Sequence, residues 1–366
     1  MAGFSCAPAP LPDELAQGHM ARIFILAGIP ERKRHSRSLS SLIGAASDNQ
    51  KYLGQLADLS RMPLRQYIYS HTLVPFFKAV QEQDIDWTSE SIQWQSLMIS
   101  ARKGATKTIR FCPQCVEQDL RSLGVSYWRR SHQLFGVSWC VEHLCGLYST
   151  AADDAMRQLP EAFVSEGQAD EMAEEFVAHP VLRRYGEICT GFLTLDAPIN
   201  LAQMAQLIRD RARFLDLRGR LGSHGDHMDK LAIERTDRRW LQEYIPDVFT
   251  KGRASSICRT YSSTDLAYPA QYYALALALL FDSADDALAA LNQAEIRLSL
   301  MSTPMGLRSA DEERAISGFI AELPWQQLAE KYGLRVDGFE GLLQAALRHA
   351  RLARSVPQAE FDIVCA

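Results

Sequence analysis

Several things are missing from this 366-residue sequence, and each absence narrows what it can be. No run approaches 18 consecutive apolar residues, so no transmembrane helix is expected. The opening MAGFSCAPAPLPDEL has no basic segment followed by an apolar one, so secretion is not expected either. There is no GxxxxGKS/T phosphate loop and no GxSxG nucleophile turn. The carboxylates Asp58, Asp84 and Asp86 have no spacing that would serve metal-assisted phosphoryl chemistry, so an enzyme is not expected. An excess of positive charge is missing too. The 39 Lys+Arg and 44 Asp+Glu give −5, whereas proteins that depend on phosphate contacts are usually basic. The balance is uneven: residues 1–150 carry 16 basic and 12 acidic side chains, and residues 151–366 carry 23 and 32. Any nucleic-acid contact should therefore be local, with most partners being proteins.

What is present centres on residues 111–143, FCPQCVEQDLRSLGVSYWRRSHQLFGVSWCVEH. Cys112 and Cys115 are separated by two residues, as are Cys140 and His143, and 24 residues lie between the pairs. Two such pairs on tight turns can aim three sulfurs and one nitrogen at one ion, and zinc is the usual occupant of such a set. Four protein ligands leave no position for substrate, so the ion should be structural. The eight cysteines are otherwise scattered, which suits a reducing compartment and a metal better than a disulfide framework. Cys145 is a fifth candidate donor, read as a bystander because the paired spacing is already complete. A small metal module lacks apolar volume, so Trp128, Phe135 and Trp139 are expected as its core.

CPQC, then YWRRSHQLFGVSWC, then VEH resembles the zinc signature of the TniQ/TnsD family, the target-selection proteins of certain bacterial transposons. Pro12-Asp13-Glu14-Leu15 ahead of an apolar helix is similar to that family's opening, and Tyr268-Pro269 leading into YYALALALLFDS resembles a late helix of its TnsD-like members. Many relatives carry a second cysteine cluster after the histidine. Here the chain runs into STAADDAMRQ, and a second metal site is not expected.

The rest of the chain reads as mostly α: helix-turn-helix-like helical domains flanking a small Cys3His zinc-ribbon or treble-clef module. The expected divisions are an N-terminal helical domain at 1–105, the zinc module at 106–150 and a C-terminal helical domain at 151–366. Residues 1–10 read as a flexible arm, and a helix begins near Pro12-Asp13. Arg32, Lys33 and Arg34 lie in a basic run that either meets nucleic-acid phosphate or is a solvated loop. Two helices joined by the turn Ser60-Arg61-Met62-Pro63 outline a helix-turn-helix, which would offer Arg61, Arg65 and Gln66 to a groove; helical packing without DNA uses the same pattern. His71 reads as a packed or capping histidine. Arg102, Lys103, Lys107 and Arg110, with Arg129 and Arg130, make the densest positive stretch, and Thr106 to Phe111 alternates like a strand that pairs within the module.

Beyond residue 149 the pattern is helical. Pro180 breaks or starts a helix, and Asn200 is placed as an N-cap. SHGDHMD at 223–229 reads as a polar loop. The stretch from Tyr268 to Phe281 is apolar all round, as a buried central helix should be. A further helix-turn-helix-like unit is read at 323–347, with Gly333 in its turn and Arg335 at its basic tip, against which Asp337 and Glu340 weigh.

The resemblance implies a non-catalytic adaptor that marks a target and recruits an AAA+ transposition regulator. It also implies two ways of choosing the target: TnsD-like direct binding of a DNA site, or bridging to an RNA-guided CRISPR Cascade ribonucleoprotein, as a homodimer. Modest length, the acidic balance and the absent second cluster lean towards bridging, and the helix after Pro269 leans towards direct binding. A zinc-containing transcription regulator is a further reading. Each places the protein in the bacterial cytoplasm, at the nucleoid.

Overall fold

In the computed structural model the described residues are 7–29, 52–82, 108–151, 158–215, 217, 227–250, 254–261 and 266–291. The chain divides into two compact units, Met1–Ala287 and Leu288–Ala366, and the described residues fall almost entirely in the first. The fold is mostly helical, as expected. The helix-turn-helix-like unit read at 323–347, with Arg335, lies outside the described residues, as do Arg32, Lys33, Arg34, Arg102, Lys103 and Lys107.

Helix α1 (Ala16–Leu26), α2 (Tyr52–Leu59), α3 (Leu64–His71) and the short α4 (Val74–Phe77) form the N-terminal block. Ile23 and Phe24 of α1 pack on Leu53, Leu56 and Ala57 of α2 and on Tyr67 and Ile68 of α3. The turn between α2 and α3 falls at 60–63, where the sequence placed it, and Arg61 adopts a left-handed φ of 54°.

Helix α1 starts later than the sequence suggested, because Asp13 has φ 58° and its carboxylate is engaged elsewhere. Of the arm read at 1–10, residues 1–6 lie outside the described residues, and 7–10 are tied to α1. The Arg22 guanidinium donates to both oxygens of Glu14, at 2.9 and 2.7 Å, and to the Ala9 carbonyl at 2.7 Å. His19 bonds the Tyr67 hydroxyl through Nδ1 and the Pro8 carbonyl through Nε2, each at 2.8 Å.

After β1 (Val80–Gln81), strand β2 (Thr108–Phe111) leads into α5 (Pro113–Leu123). Pro113 at the first turn costs no hydrogen bond, and Gly124 ends the helix in a left-handed conformation. Strand β3 (Tyr148–Ala151) pairs antiparallel with β2, Phe111 opposite Tyr148, and β4 (Gln168–Ala169) adds to its other edge, beyond residue 150.

The segment after β3 is mainly helical. It contains α6 (Ala173–Ala178), α7 (Pro180–Leu193), β5 (Ile199–Asn200), α8 (Leu201–Phe214), α9 (His227–Arg235), α10 (Arg238–Tyr244), α11 (Ser256–Arg259) and α12 (Ala270–Leu280). Pro180 opens α7, and Asn200 caps α8 by accepting from the Ala202 and Gln203 amides. Strand β5 pairs parallel with β1. Helix α12 is buried on all sides, Tyr273 to Leu280 being at most 3% exposed. Its last carbonyls lack helical partners. Arg184 of α7 donates to the Ala278 carbonyl at 3.1 Å, and Arg211 of α8 to that of Leu280 at 2.9 Å.

Candidate metal centre

The four residues read as ligands converge. The donor atoms of Cys112, Cys115, Cys140 and His143 lie within 4.8 Å of one another. The two pairs reach the centre by different routes. Cys112 closes β2 and is the N-cap of α5, and Cys115 lies in that helix's first turn, so the first pair sits on a strand–helix junction where a tight turn was expected. Cys140 and His143 sit on a knuckle between Trp139 and Gly146, which form an isolated bridge. In the knuckle the Cys140 amide donates to the Cys145 carbonyl at 2.8 Å, and Leu144 takes φ 54°. A helix start facing a knuckle is the treble-clef arrangement.

The spacing of the donors can be compared with that of a bound ion. Zinc bonds of about 2.3 Å to sulfur and about 2.0 Å to nitrogen give tetrahedral edges of about 3.8 Å between sulfurs and about 3.5 Å from sulfur to nitrogen. Here Cys115 and Cys140 Sγ are 3.7 Å apart. His143 Nδ1 lies 3.6 Å from Cys112 Sγ, 3.3 Å from Cys115 Sγ and 3.6 Å from Cys140 Sγ. The residues fit a four-coordinate ion of that size.

Charge points the same way. The Cys112 thiol is held down to about 3, chiefly because the Cys115 and Cys140 thiols donate to its thiolate, and Cys115 is pushed far up in return. Three sulfurs this close cannot all ionise without a cation between them. Cys145 Sγ lies 3.5 Å from Cys112 Sγ but outside the four-donor group. Burial, and then its contact with Cys112, push the Cys145 thiol up to about 12.

The aromatics are the mortar around it. Trp128 is fully buried against Phe111, Phe163 and Leu15, and its Nε1 donates to the Gln158 carbonyl at 3.0 Å. Trp139 packs so closely on Gly186 of α7 that a Cβ there would lie 3.0 Å from its ring. Phe135 is only half-buried and meets Tyr244 edge-on.

The stretch from Leu134 to Val137 is where the C-terminal helices hold the module. Tyr185 donates to the Phe135 carbonyl and Trp240 Nε1 to the Gly136 carbonyl, both at 2.8 Å. Gly136 has φ 69°, and a Cβ there would come within 2.8 Å of Trp240.

The basic residues named from sequence are divided by the fold. Arg129 and Arg130, expected on a positive surface, are both paired internally, Arg130 buried and Arg129 partly buried. Arg129 makes a two-pronged pair with Asp119 at 2.7 and 2.8 Å and stacks over Tyr127. Arg130, 7% exposed, pairs with Asp13 at 3.0 Å and donates to the carbonyls of Tyr69 and Thr72. Arg110 donates to the Leu134 and Val137 carbonyls. A segment this short of apolar volume uses its arginines to satisfy buried carbonyls and carboxylates. Arg61 is exposed, and Arg65 is half-buried above the Tyr69 ring.

Arg130 and the backbone beside it join the N-terminal block to the module. The Leu15 amide donates to the Trp128 carbonyl at 2.7 Å and the Arg130 amide to the Asp13 carbonyl at 2.9 Å, a bridge that pairs Glu14 with Arg129. His71, packed as expected, bonds the Glu14 carbonyl through Nδ1 at 3.0 Å. Sequence reasoning passed over Asp119 and His132 and gave Asp13 only a capping role. No spacing signal marks them, since their partners are up to 118 residues away.

The class is thus a mostly helical protein with a four-donor cluster that could hold a metal ion. Residues 5–147, which hold both the N-terminal block and the module, match the family model described as TniQ. The transposon Tn7 transposition protein TnsD of Escherichia coli is 26% identical over 167 residues, 41% of this chain and 33% of that protein, so the match spans about a third of that relative's length. Over residues 5–147 the chain thus resembles the TniQ/TnsD family.

Proposed function

We propose that the protein is a non-catalytic target-selection adaptor for DNA transposition. In this reading it bridges a targeting complex, an RNA-guided CRISPR Cascade ribonucleoprotein, to an AAA+ transposition regulator, as a homodimer in the bacterial cytoplasm at the nucleoid. The observation that carries the transposition reading is the TniQ match over residues 5–147. Bridging, as opposed to direct reading, is supported by the disposal of charge. The chain is acidic, and Arg110, Arg129 and Arg130 serve internal partners, which takes them off the surface a phosphate backbone would use. The ion of the Cys112, Cys115, Cys140 and His143 site is proposed to be structural Zn2+, which when bound supplies rigidity and no chemistry.

The likeness to TnsD favours a second reading, in which the protein selects a DNA site itself through Arg61 and Arg65 and the basic run at Arg32, Lys33 and Arg34. Duplex binding by the isolated protein, titrated with salt, separates the two. A direct reader binds tightly and loses affinity steeply with salt, whereas the adaptor binds weakly until its partner is added. Copurification of an AAA+ ATPase and a Cascade complex after nuclease treatment is the result expected of the adaptor. Tight, salt-sensitive binding to one duplex, with neither partner retained, contradicts it.

A further inference from the structure

The four-donor centre has an inner partner that the ligand spacing does not reveal. His132, in the loop between the ligand pairs, is 3% exposed, and its Nε2 lies 3.7 Å from Cys115 Sγ. Its Nδ1 is buried with no hydrogen-bond partner. A buried N–H without an acceptor is rarer than a buried lone pair without a donor, so the proton belongs on Nε2, facing the sulfur.

The other two sulfurs are already served. Cys112 Sγ accepts from the Cys115 amide and Cys140 Sγ from the His143 amide, each at 3.5 Å. Cys115 gains no backbone donor among the described hydrogen bonds. Three thiolates and a neutral imidazole around a divalent ion leave one net negative charge in a buried site, and such charge requires donors.

Resting on the metal reading above, we propose that His132 is a positioning residue of the metal centre: its Nε2–H donates to the Cys115 thiolate and completes a set of one N–H donor per ligand sulfur. Donors of this kind fix ligand orientation and ligand basicity, and their loss commonly lowers metal affinity about 10–100-fold.

The test uses the full chain loaded with Zn2+ or Co2+ alone. His132→Phe keeps the ring volume and removes the donor; His132→Gln keeps an N–H. Zinc affinity is read by chelator competition, and the sulfur-to-cobalt charge-transfer band reports the electron density on sulfur. His132→Phe should weaken zinc binding about 10–100-fold and move the band to lower energy, and His132→Gln should restore most of both. A purely space-filling role would leave the band in place, so wild-type affinity and an unmoved band in His132→Phe overturn the proposal. A cobalt spectrum in His132→Phe that reports a lost nitrogen ligand overturns it as well, because His132 would then be a ligand. If His132→Phe does not fold, His132→Gln decides: near-wild-type affinity and band support the donor role, and a loss as large as that of Cys115→Ser contradicts it. A wild-type chain that takes up neither ion refutes the metal reading itself, and the assignment with it.

Discussion

Replacing Arg130 with methionine should loosen the N-terminal block from the metal module. The methionine roughly preserves the apolar stem but removes the ion pair to Asp13 at 3.0 Å and the bonds to the Tyr69 and Thr72 carbonyls at 2.6 and 3.1 Å. Breaking one partner of a buried pair typically costs about 3–5 kcal/mol, because the remaining charge is left uncompensated. Asp13 is 29% exposed and keeps the Ser131 amide and hydroxyl at 3.1 and 2.6 Å, so about 3 kcal/mol is expected here. Asp13→Asn should cost less, since the amide oxygen still accepts and asparagine tolerates the left-handed φ of 58°. In the double variant the two losses should fail to add, with a coupling of about 1.5–3 kcal/mol. Urea unfolding with zinc in excess, followed by tryptophan emission, reads the midpoint, and brief proteolysis reports release of the N-terminal helices. An Arg130→Met midpoint within about 1 kcal/mol of wild type, or additive single losses, would refute the argument that this pair joins block to module.

Three further outcomes follow from the same contacts. Burial lowers His19 to about 4, outweighing the Pro8 carbonyl that works the other way, and burial likewise lowers His71 to about 4. The unfolded chain therefore binds more protons between pH 4 and 6.5: the stability is complete above 6.5 and declines as pH falls towards 4, by about 1 kcal/mol per histidine at about pH 5.5. Urea midpoints for wild type and His71→Asn, taken across that range with zinc in excess, should show the variant losing about half as much; an acid-insensitive wild type would contradict this. Gly136→Ala meets both a φ of 69° and the Trp240 ring at 2.8 Å and should cost about 2–4 kcal/mol in thermal unfolding, where an unchanged melting temperature would show that the loop is not gripped as described. Arg211→Leu leaves the Leu280 carbonyl without its 2.9 Å donor and should cost about 1–2 kcal/mol by urea denaturation, with no change expected only if water takes the place of the guanidinium.

The clustering of the four donors was legible because its signal is local. Two C-x-x-C/H pairs and an alternating strand mark candidate donors and sheet within a few residues, and Pro180, Asn200 and the all-apolar α12 mark helices by equally short-range rules. What escaped was long-range. Arg129 and Arg130 read as surface because they are charged and adjacent to the signature, yet the fold brings Asp119 and Asp13 to them. The start of α1 was misplaced because Asp13, a good capping residue by type, is held by Ser131 and Arg130 at the far side of the module. Residues 7–10 read as loose by composition, while Arg22 and His19 reach back to their carbonyls. In each case local propensity was overruled by a partner that sequence spacing cannot place.

Metal analysis of the purified chain, beside Cys112→Ser and His143→Ala, bears most directly on the claim that the two helical blocks are assembled on an ion-bound centre. One zinc per chain is expected in the wild type, with loss of the metal and of most of its folding contribution, on the order of 10 kcal/mol, in either variant. A wild-type chain that is folded and free of metal, or variants that keep wild-type metal content and stability, would contradict it.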